Sequence, residues 1–334
     1  MRPLATLLIA IALSSPAAAE TTVDIKEWQV PWADSRPRDP YAESATSVWF
    51  VGQRSGYLAH LNVATGAMTK VDLPAGEGPH NLIVGEDGIV WYAGNLTGVI
   101  GRYDPKTEEL TSIPMPDAAA RDPHTLVFHE NEEFIFFTLQ GANMMGRLEV
   151  ETGEVTLISS LTERSRPYGI KVAPDGSVWV VLFGTNKLAQ IDPESMEHRE
   201  IDLPRADARP RRLEIGADGR VWYVDYAKGR LGVFDPQKNK FEEWMLPSGE
   251  GSRPYGTALD SSGRIWLVET GVQPNMFVGF DPRTKKYFGA TPIHSGGGTV
   301  RHMHYHEPSG AVWFGTDTNY IGRAIVEPAK ADAN

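Results

Sequence analysis

The chain has no cysteine, no run of five or more Lys or Arg, and no apolar stretch long enough to cross a bilayer as a helix. Without cysteine there is no thiol nucleophile, no Cys-ligated zinc and no iron–sulfur cluster. The same absence removes the risk of wrong disulfides in an oxidising compartment. Without basic runs, and with a formal net charge of −11, nucleic acid is not an expected partner, and a polyanionic surface fits poorly. The longest apolar segment, Leu4 to Leu13, falls well short of the about 20 residues a spanning helix needs. It follows Arg2 and precedes Ala17-Ala18-Ala19, the pattern of a secretory signal over residues 1–19 cleaved before Glu20. No Cys follows that site, so no lipid anchor is expected. The mature chain is expected to be periplasmic or secreted. Also missing are a G-x-S-x-G elbow, a P-loop and a dinucleotide fingerprint.

What is present is a repeat. An anchor aromatic recurs at Trp49, Trp91, Phe136, Trp179, Trp222, Trp266 and Trp313, at steps of 42, 45, 43, 43, 44 and 47 residues. Seven units of this period are the signature of a propeller. Each unit holds four strand-like pieces. The first begins at a Pro dipeptide, and Asp-Gly turns such as Asp87-Gly88, Asp175-Gly176 and Asp218-Gly219 lead to the second, which carries the Trp. The third carries Ile100-Gly101-Arg102 or Ile321-Gly322-Arg323, and Asp-Pro turns such as Asp104-Pro105 and Asp192-Pro193 lead to a fourth that ends in Leu-Pro. The seventh unit stops near Val326 after three strands. Asp24 to Val30 is available to supply the fourth and close the ring, which removes exposed sheet edges. The expectation is all-β: a seven-bladed β-propeller of four-stranded antiparallel blades, one domain over residues 20–334, closed by its N-terminal strand, and a monomer.

The residue after each blade-opening Pro is expected at the mouth of the central channel. These positions hold Arg38, His80, His124, Tyr168, Arg211, Tyr255 and Arg301, all hydrogen-bonding types. The second strands exit through Asn95, Gln140, Asp225, Glu269 and Asp317. Acids there could pair with Arg and His, or bind a hard cation such as Mg²⁺ or Ca²⁺, with Asp225 and Glu269 as candidate ligands. His302, His304 and His306 share one face if extended. They lie roughly 7 Å apart successively, too far for three ligands on one ion, so His302 near the mouth is the useful member. Gly296-Gly297-Gly298 is read as a tight entry loop.

With its P-Y/H-G-I, D-G-x-V-W, I-G-R and L-P elements, the repeat resembles that of virginiamycin B lyases (streptogramin lyases) over about residues 24 to 326. The resemblance implies a seven-bladed propeller that opens a cyclic depsipeptide ester by elimination with Mg²⁺. It places the family's catalytic groups at Pro-His opening blade 6, Glu-Pro-His opening blade 7 and a Glu where the second strand of blade 7 exits. Here blade 6 opens Arg253-Pro254-Tyr255, so Tyr255 stands for the His. Blade 7 opens Thr299-Val300-Arg301, without Glu or His, and Asp317 stands for the last acid. The motif reappears three blades further round the ring, as Pro79-His80 opening blade 2 and Asp122-Pro123-His124 opening blade 3. A rotated site of His80, Asp122 and His124, with Asp317 as the acid in direct register, is therefore the expected catalytic set. The expected function is a lyase-like enzyme acting on an ester or lactone of a small cyclic molecule at the mouth. The alternatives are a non-catalytic binding propeller and a metal-dependent lactonase.

Overall fold

The computed structural model describes residues 22–129 and 131–328. The segment read as an export signal lies outside them. Seven four-stranded antiparallel sheets stand in a ring. Blade 1 runs Pro37–Ala42, Ser47–Gly52, Tyr57–Asn62 and Met68–Asp72, from the channel outward, and blades 2 to 6 repeat that order. Blade 7 has three strands from the end of the chain, Met303–His306, Ala311–Gly315 and Tyr320–Ile325. Its outermost strand is Asp24–Gln29, antiparallel to Tyr320–Ile325 with Asp24 opposite Ile325 and Trp28 opposite Ile321. Trp28 stacks on Trp313 at 5.6 Å between ring centroids. Ring closure by the N-terminal strand is thus observed.

The core is not central. Among the described residues, buried apolar side chains fall into seven clusters, each shared by two neighbouring blades: Trp313 with Phe50, Trp179 with Tyr223, and Trp266 with Phe314 are examples. One blade cannot bury both of its faces alone, so the stacking of neighbours holds the ring together. The glycine of the third strand has a mechanical reason. A Cβ on Gly101 would sit 1.9 Å from the Tyr92 ring, and one on Gly322 would sit 2.2 Å from Phe314. In blades 2, 3, 5 and 7 the ring beside the anchor aromatic, Tyr92, Phe137, Tyr223 or Phe314, occupies the space a Cβ on that glycine would need. The channel is left to polar groups. No helix among the described residues is long and apolar enough to cross a membrane.

Candidate functional site

A bulge shapes the channel head. In each of blades 1 to 6 the innermost strand carries one extra residue near its start, between Pro79 and Leu82 in blade 2 and between Pro254 and Thr257 in blade 6. Two residues then oppose one, and the strand is re-aimed. The residue after the Pro and the next one both reach the channel. Arg38 and Asp39, His80 and Asn81, and His124 and Thr125 are all buried there.

Blades 1 to 3 are tied together by a side-chain hydrogen-bond network. Arg38 Nη1 donates to His80 Nε2 at 2.7 Å, so His80 carries its proton on Nδ1 and donates it to the His124 carbonyl at 3.1 Å. The two rings lie 3.8 Å apart. His124 Nδ1 meets Thr125 Oγ1 at 2.8 Å. Asn81 donates to Asp39 at 3.0 Å and accepts from the Leu126 amide at 2.8 Å. Burial, reinforced by Arg38, Arg212 and the neighbouring imidazole, holds the His80 ring neutral well below the usual histidine range. His124 is held neutral by burial and by Arg212, Arg38 and Arg211. Burial pushes Asp39 up, but Arg38, His302, Arg212 and the Asn81 amide hold its carboxyl below the ordinary value.

Blades 4 to 6 are built differently. The Tyr168 and Tyr255 hydroxyls meet across the channel in a short hydrogen bond. The Arg211 guanidinium lies 3.7 Å from the Tyr255 ring, 4.2 Å from Tyr226, 4.5 Å from Phe183 and 5.3 Å from Tyr168. Burial raises the Tyr168 phenol, but Arg211, Arg212 and Arg38 outweigh it and bring it down to about 8. Burial and Tyr168 itself push Tyr255 up. The pair therefore shares its protons unevenly. Arg212 crosses the channel, with Nε on the Arg301 carbonyl at 3.1 Å and Nη1 on Thr125 Oγ1 at 3.1 Å.

On the rim, Arg301 and Arg36 both pair with Asp317, the latter at 3.3 Å. Asn95 donates to the Pro123 carbonyl at 2.9 Å. The Gln140 amide, oriented to satisfy its neighbours, accepts from Arg166 Nη2 at 2.8 Å. His80 and His124 are brought together, whereas Asp122 turns away from them. Its carboxylate caps the Gly141 and Ala142 amides, the latter at 3.0 Å. Asp225 is likewise spent on the Arg209, Ala227 and Lys228 amides and on Arg205 at 2.5 Å. Glu269 accepts from the Ser248 amide at 2.9 Å and its hydroxyl at 2.6 Å. The three histidines of blade 7 part company: His304 stacks on Tyr41 at 4.1 Å, His306 meets Ser309 at 2.7 Å, and His302 lines the channel. Among the described residues, no three His, Asp or Glu side chains group as a cation-holding set. The residues at Asp225 and Glu269 do not fit a Mg²⁺ or Ca²⁺ centre, since backbone caps already occupy their carboxylates. Sequence reasoning missed Asp39, Asn81, Thr125 and Arg212, whose one signal is their place directly after the channel residue.

The fold and this polar head define a seven-bladed propeller whose best-developed cluster of buried polar groups plugs the channel at one end. The chain belongs to the virginiamycin B lyase family, whose model matches residues 14–273. No curated protein matches it in sequence. Among solved structures it is similar to a streptogramin B lyase, with 21% identity, a TM-score of 0.82, and 92% of this chain and 99% of that one covered. It is also similar to virginiamycin B lyase from Staphylococcus aureus, with 20% identity, a TM-score of 0.81, and 91% and 100% covered. A catalytically inactive form of that enzyme with Quinupristin matches at 20% identity and a TM-score of 0.82, with 91% and 100% covered. At this identity the likeness establishes the fold.

Proposed function

We propose that the protein is an exported lyase-like enzyme that breaks the C–O bond of an ester or lactone in a small cyclic molecule seated at the channel head. The observation that carries the reading is the Tyr168–Tyr255 hydroxyl pair beneath Arg211. A phenol brought down to about 8 by arginines yields a usable fraction of phenolate near neutral pH, which is what a general base needs. Tyr168 takes a proton from a C–H next to the ester-bearing carbon. The C–H electron pair becomes the new C=C bond, and the C–O bond breaks with its pair leaving on the carboxylate oxygen. Arg211 faces the negative charge that develops. Family membership supports the reaction class, and Tyr255 stands where the family carries its blade 6 histidine.

A panel of cyclic esters and lactones, followed by mass spectrometry and ultraviolet absorbance, tests this. Elimination opens the ring with no change in mass and creates a conjugated alkene. A product heavier by one water selects lactone hydrolysis instead. The rate should rise with pH toward 8, and Tyr168→Phe should lose it; unchanged turnover in that variant removes Tyr168 from the reaction. Export rests on residues 1–19, and N-terminal sequencing of protein from its native host should begin at Glu20. Protein that begins at Met1 contradicts it.

A non-catalytic binding propeller is the second reading. It is favoured by His80 and His124, whose rings are 3.8 Å apart and buried, leaving no room for substrate between them. Saturable binding across the panel with no product selects it.

A further inference from the structure

The channel head carries more positive charge than it can pair. Among the described residues of the head and rim, Arg36, Arg38, Arg212 and Arg301 share two carboxylates, Asp39 and Asp317, and Arg211 pairs with neither, within a chain of net charge −11. Other acids at this end, Glu77, Asp122, Asp225 and Glu269 among them, are turned to loop amides, to the Tyr92, Ser112 and Ser248 hydroxyls and to Arg205. Deeper in the channel Lys171 and Glu214 pair with each other at 2.9 Å. Asp317 is shared by Arg36 and Arg301. Asp39 lies 3.5 Å from Arg38 and 3.9 Å from Arg212. Arg211 is left with aromatic faces and no carboxylate among the described residues.

Hydrogen-bonding capacity is unspent at the same place. Arg38 Nη2, Arg211 Nε, His124 Nε2 and His302 Nδ1 are buried with no partner, while Arg38 and His124 are only 5% and 1% exposed. Buried donors without acceptors are costly, and buried cations without counter-charge more so. A ligand that supplies acceptors and negative charge relieves both. Arg211 and His302 are the half-buried members of this group, and four aromatic faces hold the planar fork of Arg211 in place.

We propose that the channel head is an anion-binding site, centred on Arg211 with Arg38 and His124 behind it, that takes a carboxylate or a similarly compact oxyanion. A planar guanidinium matches a carboxylate with two parallel hydrogen bonds, and a basic mouth on an acidic protein steers anions toward it. The inference rests on the mouth being the ligand site, and not on the elimination chemistry. The oxyanion is either a pendant group of the substrate or a free ion.

The test uses mature protein in chloride-free buffer of fixed ionic strength. Sodium acetate or inorganic phosphate should raise Tm saturably, whereas equal sodium as the salt of a bulky, weakly bound anion should not. Arg211→Met keeps the apolar stem on the aromatic faces and should abolish the shift, with an unchanged circular dichroism spectrum. Arg211→Lys, a second variant should the first misfold, should weaken binding at least tenfold by losing the fork. In the second arm, a lactone with a pendant carboxylate is compared with its methyl ester. Tenfold tighter binding of the acid, relieved by acetate, assigns the site to the substrate. Acetate binding with no preference within the pair assigns it to a free ion. Anion binding without turnover of any panel member overturns the lyase reading and leaves this one standing. Tm curves that overlay in all salts, with no preference for the acid, overturn the anion site whatever the turnover.

Discussion

On blades 1 to 3 the channel-facing side chains are Arg38, His80 and His124; on blades 4 to 6 the equivalent positions hold Tyr168, Arg211 and Tyr255. The backbone presents all six in the same way, each beside the bulge of its strand. The first group is knitted from blade to blade by hydrogen bonds: both His80 nitrogens are bonded, and Asp39 and Asn81 tie blade 1 to blade 2 and on to blade 3, with Arg38 Nη2 and His124 Nε2 left over. The second group is held by aromatic faces and one hydroxyl contact, leaving Arg211 without an ion partner. In a repeat protein, equivalence of position is therefore not equivalence of role. What separates the two groups is how the side chain is held: by hydrogen bonds to the neighbouring blades, or by aromatic faces that leave its charge without a carboxylate.

Removing the closing strand tests whether both halves depend on one ring. Deleting residues 20–32 removes the buried Ile25, Trp28 and Val30 and leaves the Tyr320–Ile325 strand with an unpaired six-residue edge. The loss should be roughly 5 kcal/mol at 1.5–3 kcal/mol per large side chain, or failure to fold. A melting temperature equal to that of the full chain would contradict a ring that acts as one unit.

Next come the halves themselves. Tyr168→Phe should lower turnover by roughly 10²-fold, the usual yield of a positioned base, at little cost in stability. His124→Ala should do the reverse, destabilising by about 2–3 kcal/mol through an emptied buried site while turnover changes little. If His124→Ala instead abolishes turnover with stability intact, the halves exchange roles and the rotated His80–His124 pair is the reactive one.

Acid should act through the histidines of blades 2, 3 and 7 and spare the tyrosine–arginine half. The unfolded chain takes up protons below the ordinary histidine pKa of about 6.5. The buried His80, His124 and His302 rings refuse them until well below that value, and His304, dominated by burial, until about 3. Stability is thus full above pH 6.5 and lost as pH falls, by at most about 1.4 kcal/mol per pH unit for each such histidine. Urea midpoints at pH 7 and pH 5 measure this. His304→Phe should flatten the slope, and a slope that ignores the substitution would contradict the burial of that ring as its cause.

The smallest effect expected is at Asp122. Asp122→Ala should cost about 1 kcal/mol, as for other lost side-chain caps on backbone amides, and leave turnover as it was. A large loss of turnover would return Asp122 to the reactive set.

Much of this protein is written locally. The anchor aromatics, the Asp-Gly turns and the missing fourth strand each report a short-range rule, so blade count, blade boundaries and ring closure follow from the chain alone. Gly101 and Gly322 are legible too, once an aromatic is known to lie across the strand pair. The seven channel positions follow from the repeat, but the alternation of a regular strand sends the next residue to the opposite face. The bulge cancels that rule, which is why Asp39, Asn81, Thr125 and Arg212 are missed. Partners are decided at longer range still. Tyr168 meets Tyr255 and Thr125 meets Arg212 across 87 residues, and Asp122 turns to loop amides despite standing two residues from His124. Sequence by itself determined the ring and which residue types line it, because strand period, turn chemistry and interblade burial are local demands. Only the tertiary structure decided which of those residues are bonded from blade to blade and which keep an unpaired charge, because that depends on side chains that meet across the channel from different blades.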